Sequence, residues 1–208
     1  MAVIDASGLA LHVARIPART AGTAPPSTVV LVHGMLVDSL ISYYFTLAPR
    51  FAAAGLDVIM YDLRGQGLSE RPSDGYRLED HLDDLEALLD RLDPAGPVHL
   101  VGNSYGGTIA FGHAARHPGR VASVSMIESE PATGARSRKM ADNLTRGAES
   151  ELAAQEGRLR SLLPGCRTAV IPGQEHWVLV GATELTGDLI LDWIRAHTPG
   201  PAAGDVSR

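Results

Sequence analysis

Four short, largely apolar runs recur along the chain: Thr28 to Val32, Val58 to Tyr61, Val98 to Val101 and Val121 to Ile127. Runs of this length, bounded by turn residues, fit strands buried on both faces, as the strands of a parallel sheet are. The segments between them are helical in pattern. Leu40 to Ala54 reads as a helix closed by Gly55, and Gly107 to Arg116 as another stopped by Pro118-Gly119. In residues 78–92, Leu78, Leu82, Leu85, Leu89 and Leu92 recur at spacings of three and four, with Glu79, Asp80, Asp83, Asp84 and Glu86 on the other side. A strand-helix-strand series with short connections implies right-handed crossovers. It predicts an α/β fold built on a doubly wound, mostly parallel sheet with helices on both faces.

The flanks of this series are less regular. Leu9 to Ile16 alternates like a half-buried strand, and Arg19 to Ser27 is a Gly/Pro/Thr-rich connector. After Pro131 the rhythm changes: residues 132–163 are polar and helical in propensity, with no apolar run. A last strand is expected at Thr168 to Ile171, then a helix over Leu185 to Ala196 with Leu189, Ile190, Trp193 and Ile194 inward. Residues 1–198 are thus expected to form one domain, and 199–208 a flexible tail.

The sequence holds 208 residues, 45% hydrophobic and 20% charged, with a formal net charge of -6. That is the balance of an ordinary globular domain. The basic residues are scattered, which argues against a nucleic-acid surface. No apolar run approaches the roughly 20 residues that cross a bilayer, and Met1 to Ser7 lacks the pattern of a secretory leader, so a cytoplasmic protein is expected. Cys166 is the single cysteine and reads as a packing residue. A small-molecule substrate is the expected partner, with neither metal nor cofactor required.

Gly102-Asn103-Ser104-Tyr105-Gly106 matches G-x-S-x-G where that pattern has mechanical meaning, between a buried strand and a helix. A serine there is a candidate nucleophile, and serine needs a base in hydrogen-bond reach. Of the 8 histidines, His33 directly follows the first buried run and is expected to shape the loop at Gly34-Met35. His81, His113 and His117 fall on helices, where solvated or packed roles are expected. His176 follows the last expected strand across Pro172-Gly173, which puts it at the carboxyl edge of the sheet where catalytic loops gather. Acyl transfer also needs two donors for its oxyanion. The amides of Tyr105 and Met35 are the candidates.

His33-Gly34-Met35, then Asp62-Leu63-Arg64-Gly65-Gln66-Gly67-Leu68-Ser69, then Gly102 to Gly107 together resemble the α/β-hydrolase fold superfamily, in order and at its usual separations. The resemblance covers residues 9–131 and 166–196. It implies a Ser104–His176 pair completed by an acid, and a structural role for the segment from Asp62 to Ser69. Between Pro131 and Cys166 the chain departs from the pattern, being too short for a helical cap, a further strand and an acid loop. By analogy Glu151, in Gly147-Ala148-Glu149-Ser150-Glu151, holds the acid position. Glu128, at the end of the Val121 to Ile127 strand, is the alternative used by haloalkane-dehalogenase-like members. Glu130, Glu149 or no acid at all complete the possibilities.

The expected function is therefore a serine hydrolase acting on a small ester, thioester or lactone through an acyl-enzyme. A degenerate hydrolase serving as a binding protein is a rival from another class, and a carbon–carbon hydrolase or cyclase is a third reading. The shortened interval also predicts a shallow site, and a sheet edge that a homodimer could cover.

Overall fold

The computed structural model describes residues 1–19, 25–35, 38–129, 165–169, 171 and 178–198. Its strands are β1 (Ala2–Ala6), β2 (Leu9–Ile16), β3 (Thr28–Val32), β4 (Asp57–Tyr61), β5 (Val98–Asn103) and β6 (Val121–Ile127). They form a sheet of order β1-β2-β4-β3-β5-β6. The pairs β3–β4, β3–β5 and β5–β6 are parallel, while β1–β2 and β2–β4 are antiparallel. The doubly wound, mostly parallel sheet is as expected. The helices are α1 (Ile41–Tyr44), α2 (Leu47–Ala53), α3 (Leu78–Leu92), α4 (Tyr105–Arg116), α5 (Val178–Gly181) and α6 (Thr183–His197).

Period-2 alternation splits the strands' side chains between two cores. Val29, Leu31, Val58, Met60 and Val101 pack with Leu47, Phe51, Ile190 and Ile194 on the face covered by α1, α2, α5 and α6. Val30, Val32, Ile59, Tyr61 and Leu100 pack with Leu82, Leu85, Leu88, Leu89 and Ile109 on the face of α3 and α4. A parallel strand clad on both sides cannot alternate polar with apolar. This is why β3 and β4 are buried at every residue.

Four sequence expectations need correction. The helix expected over Leu40 to Ala54 is two helices, because Pro49 has no amide hydrogen and its ring would strike the carbonyl of Phe45 in a continuous helix. At the third position of α2 the same proline costs no hydrogen bond. Helix α4 opens at Tyr105, two residues earlier than expected, and β5 runs on to Asn103, so the turn between them is the single residue Ser104. No strand is assigned at Thr168, Ala169 or Ile171, although Ile171 still packs on the first core. A four-residue apolar stretch carries too little periodicity to separate a strand from a packed loop. On α6 the buried set is Thr186, Gly187, Ile190, Leu191 and Ile194, with Leu189 left exposed. Gly187 rotates this face: a β-carbon there would lie 2.8 Å from Cδ of Arg50, so its absence lets α6 approach α2, where Arg50 pairs with Asp188.

The loop from Asp62 to Ser69 is held by buried polar contacts. One Asp62 carboxylate oxygen accepts the amide of Leu40 at 2.8 Å, and the other accepts that of Leu68 at 2.9 Å and meets Nδ1 of His12 at 2.8 Å. Gly67, at φ +50, leaves no room for a β-carbon beside that carboxylate. The acid is saturated by the fold, in keeping with a structural loop.

Further buried histidines, His81 and His99 among them, make the fold acid-sensitive. Burial holds His81 and His99 down to a pKa of about 4 from an ordinary 6.5. His99 lies 2.8 Å from Ser123 Oγ and 3.3 Å from Thr198 Oγ1, tying the end of α6 to the sheet. The unfolded chain takes up protons on these rings near pH 6.5, whereas the folded chain resists until about pH 4. Their contribution is therefore complete above about pH 7 and is lost as pH falls through that window. Between about pH 7.5 and pH 5 the urea midpoint should fall by the equivalent of roughly 1–2 kcal/mol per histidine, after allowance for solvent screening. An unchanged midpoint would show that both rings charge freely within the folded protein.

Candidate active site

Strands β3 and β5 are neighbours, yet the chain leaves β3 towards α1 on one face and leaves β5 into α4 on the other. Adjacent carboxyl ends whose connections part to opposite faces open a crevice, the usual ligand position in such sheets. Gly34 and Met35 follow β3 at this crevice, and Ser104 follows β5.

Ser104 has φ 50 and ψ −118, outside the regions comfortable for an L-residue. Strain of this kind costs on the order of 1–3 kcal/mol and persists only where the surroundings over-determine it. They do so here. The Ser104 amide donates to the Ile127 carbonyl at 2.8 Å, and its own carbonyl accepts the amides of Gly107 at 3.1 Å and Thr108 at 3.4 Å. A β-carbon on Gly102 would overlap the backbone of Gly106 and Gly107. One on Gly106 would overlap the Val32 carbonyl and stand 2.5 Å from that of His33. The two glycines of the motif are thus spaces through which α4 seats against β5 and β3.

The β3 loop reaches the serine directly: a β-carbon on Gly34 would lie 3.4 Å from Ser104 Cβ. His33 fixes this loop from beneath. Its Nε2 accepts the Leu63 amide at 3.0 Å, so the proton resides on Nδ1, which donates to the Gly34 carbonyl at 2.6 Å. Complete burial lowers its pKa and keeps it in this neutral form. Its expected role in shaping the loop has this geometry. Sequence reasoning passed over Asp38, whose carboxylate accepts the Gly34 amide at 3.1 Å and the Ser42 hydroxyl at 3.0 Å. An acid just ahead of a helical start, with a serine four residues on, was the available signal.

Tyr105 supplies the first amide of α4, where helix amides have no acceptor within the helix. Its ring turns away from the crevice to meet His81 edge-on, with centroids 5.3 Å apart. Glu128, the residue after β6, stands level with Ser104, since Asn103 pairs with Ile127 in the β5–β6 register. Its φ of 49 is a second strained backbone at the same rim. The structure brings Ser104, Met35, Tyr105 and Glu128 to one edge of the sheet. His176, Glu151, Glu130 and Glu149 lie outside the described residues.

A family model described as alpha/beta hydrolase fold matches residues 27–163. The chain belongs to that family. Among curated relatives of this α/β-hydrolase, a cis-3-alkyl-4-alkyloxetan-2-one decarboxylase of Shewanella oneidensis is 38% identical over 45% of the chain and 29% of its own length. A monoacylglycerol lipase of Mycolicibacterium smegmatis is 36% identical over 56% of the chain and 41% of its own length. Among solved structures, an epoxide hydrolase from an endophytic Streptomyces superposes with a TM-score of 0.53 at 28% identity, over 60% of the chain and 35% of that protein. The chain thus spans less than half the length of these relatives. No described helix is long and apolar enough to cross a membrane.

Proposed function

We propose that this α/β-hydrolase cleaves small esters, thioesters or lactones through a serine-bound acyl intermediate. The observation that carries the reading is the strained single-residue turn holding Ser104 beside the β3 loop. In the proposed reaction, Ser104 Oγ attacks the carbonyl carbon while His176 takes its proton. The amides of Met35 and Tyr105 stabilise the oxyanion, and His176 returns the proton to the leaving oxygen or sulfur. Water then repeats the cycle on the acyl-serine and releases the acid. Glu128 or Glu151 orients the imidazole.

Elementary chemistry narrows the range of relatives to copy. Opening an epoxide with a serine would leave a dialkyl ether, which water does not cleave under enzymatic conditions, so the enzyme would be consumed. Attack on an acyl carbon leaves an ester, which turns over. Residue 104 therefore favours the chemistry named for the lipase, or for the strained cyclic ester in the decarboxylase's name, over that named for the epoxide hydrolase.

A fluorophosphonate probe tests whether the hydroxyl is activated. Labelling of Ser104 within minutes is expected, identified by peptide mass. A folded chain that stays unlabelled would point instead to a binding protein on a hydrolase scaffold.

A further inference from the structure

At the far end of α4 from Ser104 lies a second cluster of chemistry-bearing side chains. His113 and His117, four residues apart, present their rings on one face of the helix end with centroids 4.9 Å apart, and Glu86 of α3 faces both. Glu86 Oε2 lies 3.4 Å from His113 Nε2, and Oε1 lies 3.5 Å from His117 Nδ1. One donor atom from each of the three residues can be chosen so that all lie within 4.8 Å of one another.

These two separations, one to each carboxylate oxygen, are long for hydrogen bonds and close to the spacing of donors around one ion, the full donor set lying within 4.8 Å. Donors bound tetrahedrally at 2.0–2.1 Å stand about 3.3–3.4 Å apart. His113 is fully buried; beyond a backbone contact from Leu82, neither ring nitrogen meets a hydrogen-bond partner of good geometry among the described residues, nor does buried Glu86 Oε2. Buried polar groups are seldom left so. An ion between them would satisfy the imidazole and the carboxylate together.

We propose that Glu86, His113 and His117 form a binding site for a divalent transition-metal ion of the zinc class. Two imidazoles and one carboxylate are borderline donors that suit zinc better than magnesium or calcium. His117 and Glu86 are partly exposed, which gives the ion a path in and leaves a fourth position for water. Arg120, 2.6 Å from Glu86 Oε1 and also bonded to Asp90, holds the carboxylate when no ion is bound and retains Asp90 when one is. His113 lies nine residues along α4 from Ser104, about 14 Å at 1.5 Å per residue, so the ion clips α3 to α4 and takes no part at the serine. The proposal does not rest on the hydrolase reading.

The test titrates zinc chloride into the untagged, chelator-treated full chain in competition with a chromophoric chelator. One equivalent bound at micromolar or tighter affinity is expected, with a rise in Tm. His117→Ala, at a partly exposed position, should weaken binding at least tenfold and remove the rise, as should Glu86→Gln. Arg120→Ala should tighten binding by removing the competing cation. Cobalt(II) in the wild-type chain should show the intense visible absorption of a tetrahedral ion, which His117→Ala should abolish. Wild-type protein without a tight equivalent, or a folded His117→Ala variant that binds zinc as well as wild type, would overturn the proposal.

Discussion

Alanine at position 104 should lower turnover of a short p-nitrophenyl ester by roughly 10⁴- to 10⁶-fold, leaving only the catalysis that binding and oxyanion donors supply by themselves. The loss should reside in kcat, because the hydroxyl contributes to bond formation rather than to holding substrate. Circular dichroism and the urea midpoint should stay within about 0.5 kcal/mol of wild type, since alanine inherits the same backbone angles without relief. Glycine at 104 separates the two properties. It too removes the nucleophile, but it is at ease at φ 50 and should be more stable than the alanine variant by about 1 kcal/mol. Unchanged turnover in Ser104→Ala would remove the serine from the mechanism. Equal stability of the two variants would remove the strain from the account of the turn.

The second large effect is on folding. Gly106→Ala should destabilise the protein by at least about 4 kcal/mol, because the added methyl meets the Val32 and His33 carbonyls rather than a side chain that can swing aside. Relief requires moving α4 as a body away from β3, which opens the core beneath Ile109 and Ala110. Gly96→Ala is the control: nothing lies within 4 Å of its added methyl, and the change should stay within about 0.5 kcal/mol. A soluble Gly106→Ala protein with a wild-type urea midpoint would refute the close packing of helix on strand.

What could be read from residues alone follows from how much periodicity each element carries. Thr28 to Val32 and Leu78 to Leu92 lie where expected because continuous burial or a leucine stripe determines them, and Val121 to Ile127 because Pro118-Gly119 ahead of it and its apolar content bound a strand although it is only partly buried. The edge hairpin was missed although Ser7-Gly8 marks it: both have positive φ, 54 and 91, as a two-residue turn between strands requires. Ala2 to Ala6 pairs on one side only, so its exposed Val3 gave no apolar run to notice. Pro49 was legible as a breaker and outweighs the apolar residues around it. At the site, the motif glycines located the turn, whereas the spacing of Asp38 and Ser42 pointed only to a helical start, because the other partner of Asp38 is a backbone amide that only the folded loop brings near. The acid proposed to orient His176 is the least legible part. A carboxylate acts there through its distance to an imidazole, and sequence spacing across a shortened interval does not encode that distance.

Gly106 rests on the carbonyls of Val32 and His33, so the serine's turn and the loop bearing Met35 are two ends of one joint. A displacement of either strand carries Ser104 and the Met35 backbone together, preserving their mutual aim. Whatever overhangs the crevice can therefore vary without disturbing the spacing between the serine and the β3 loop.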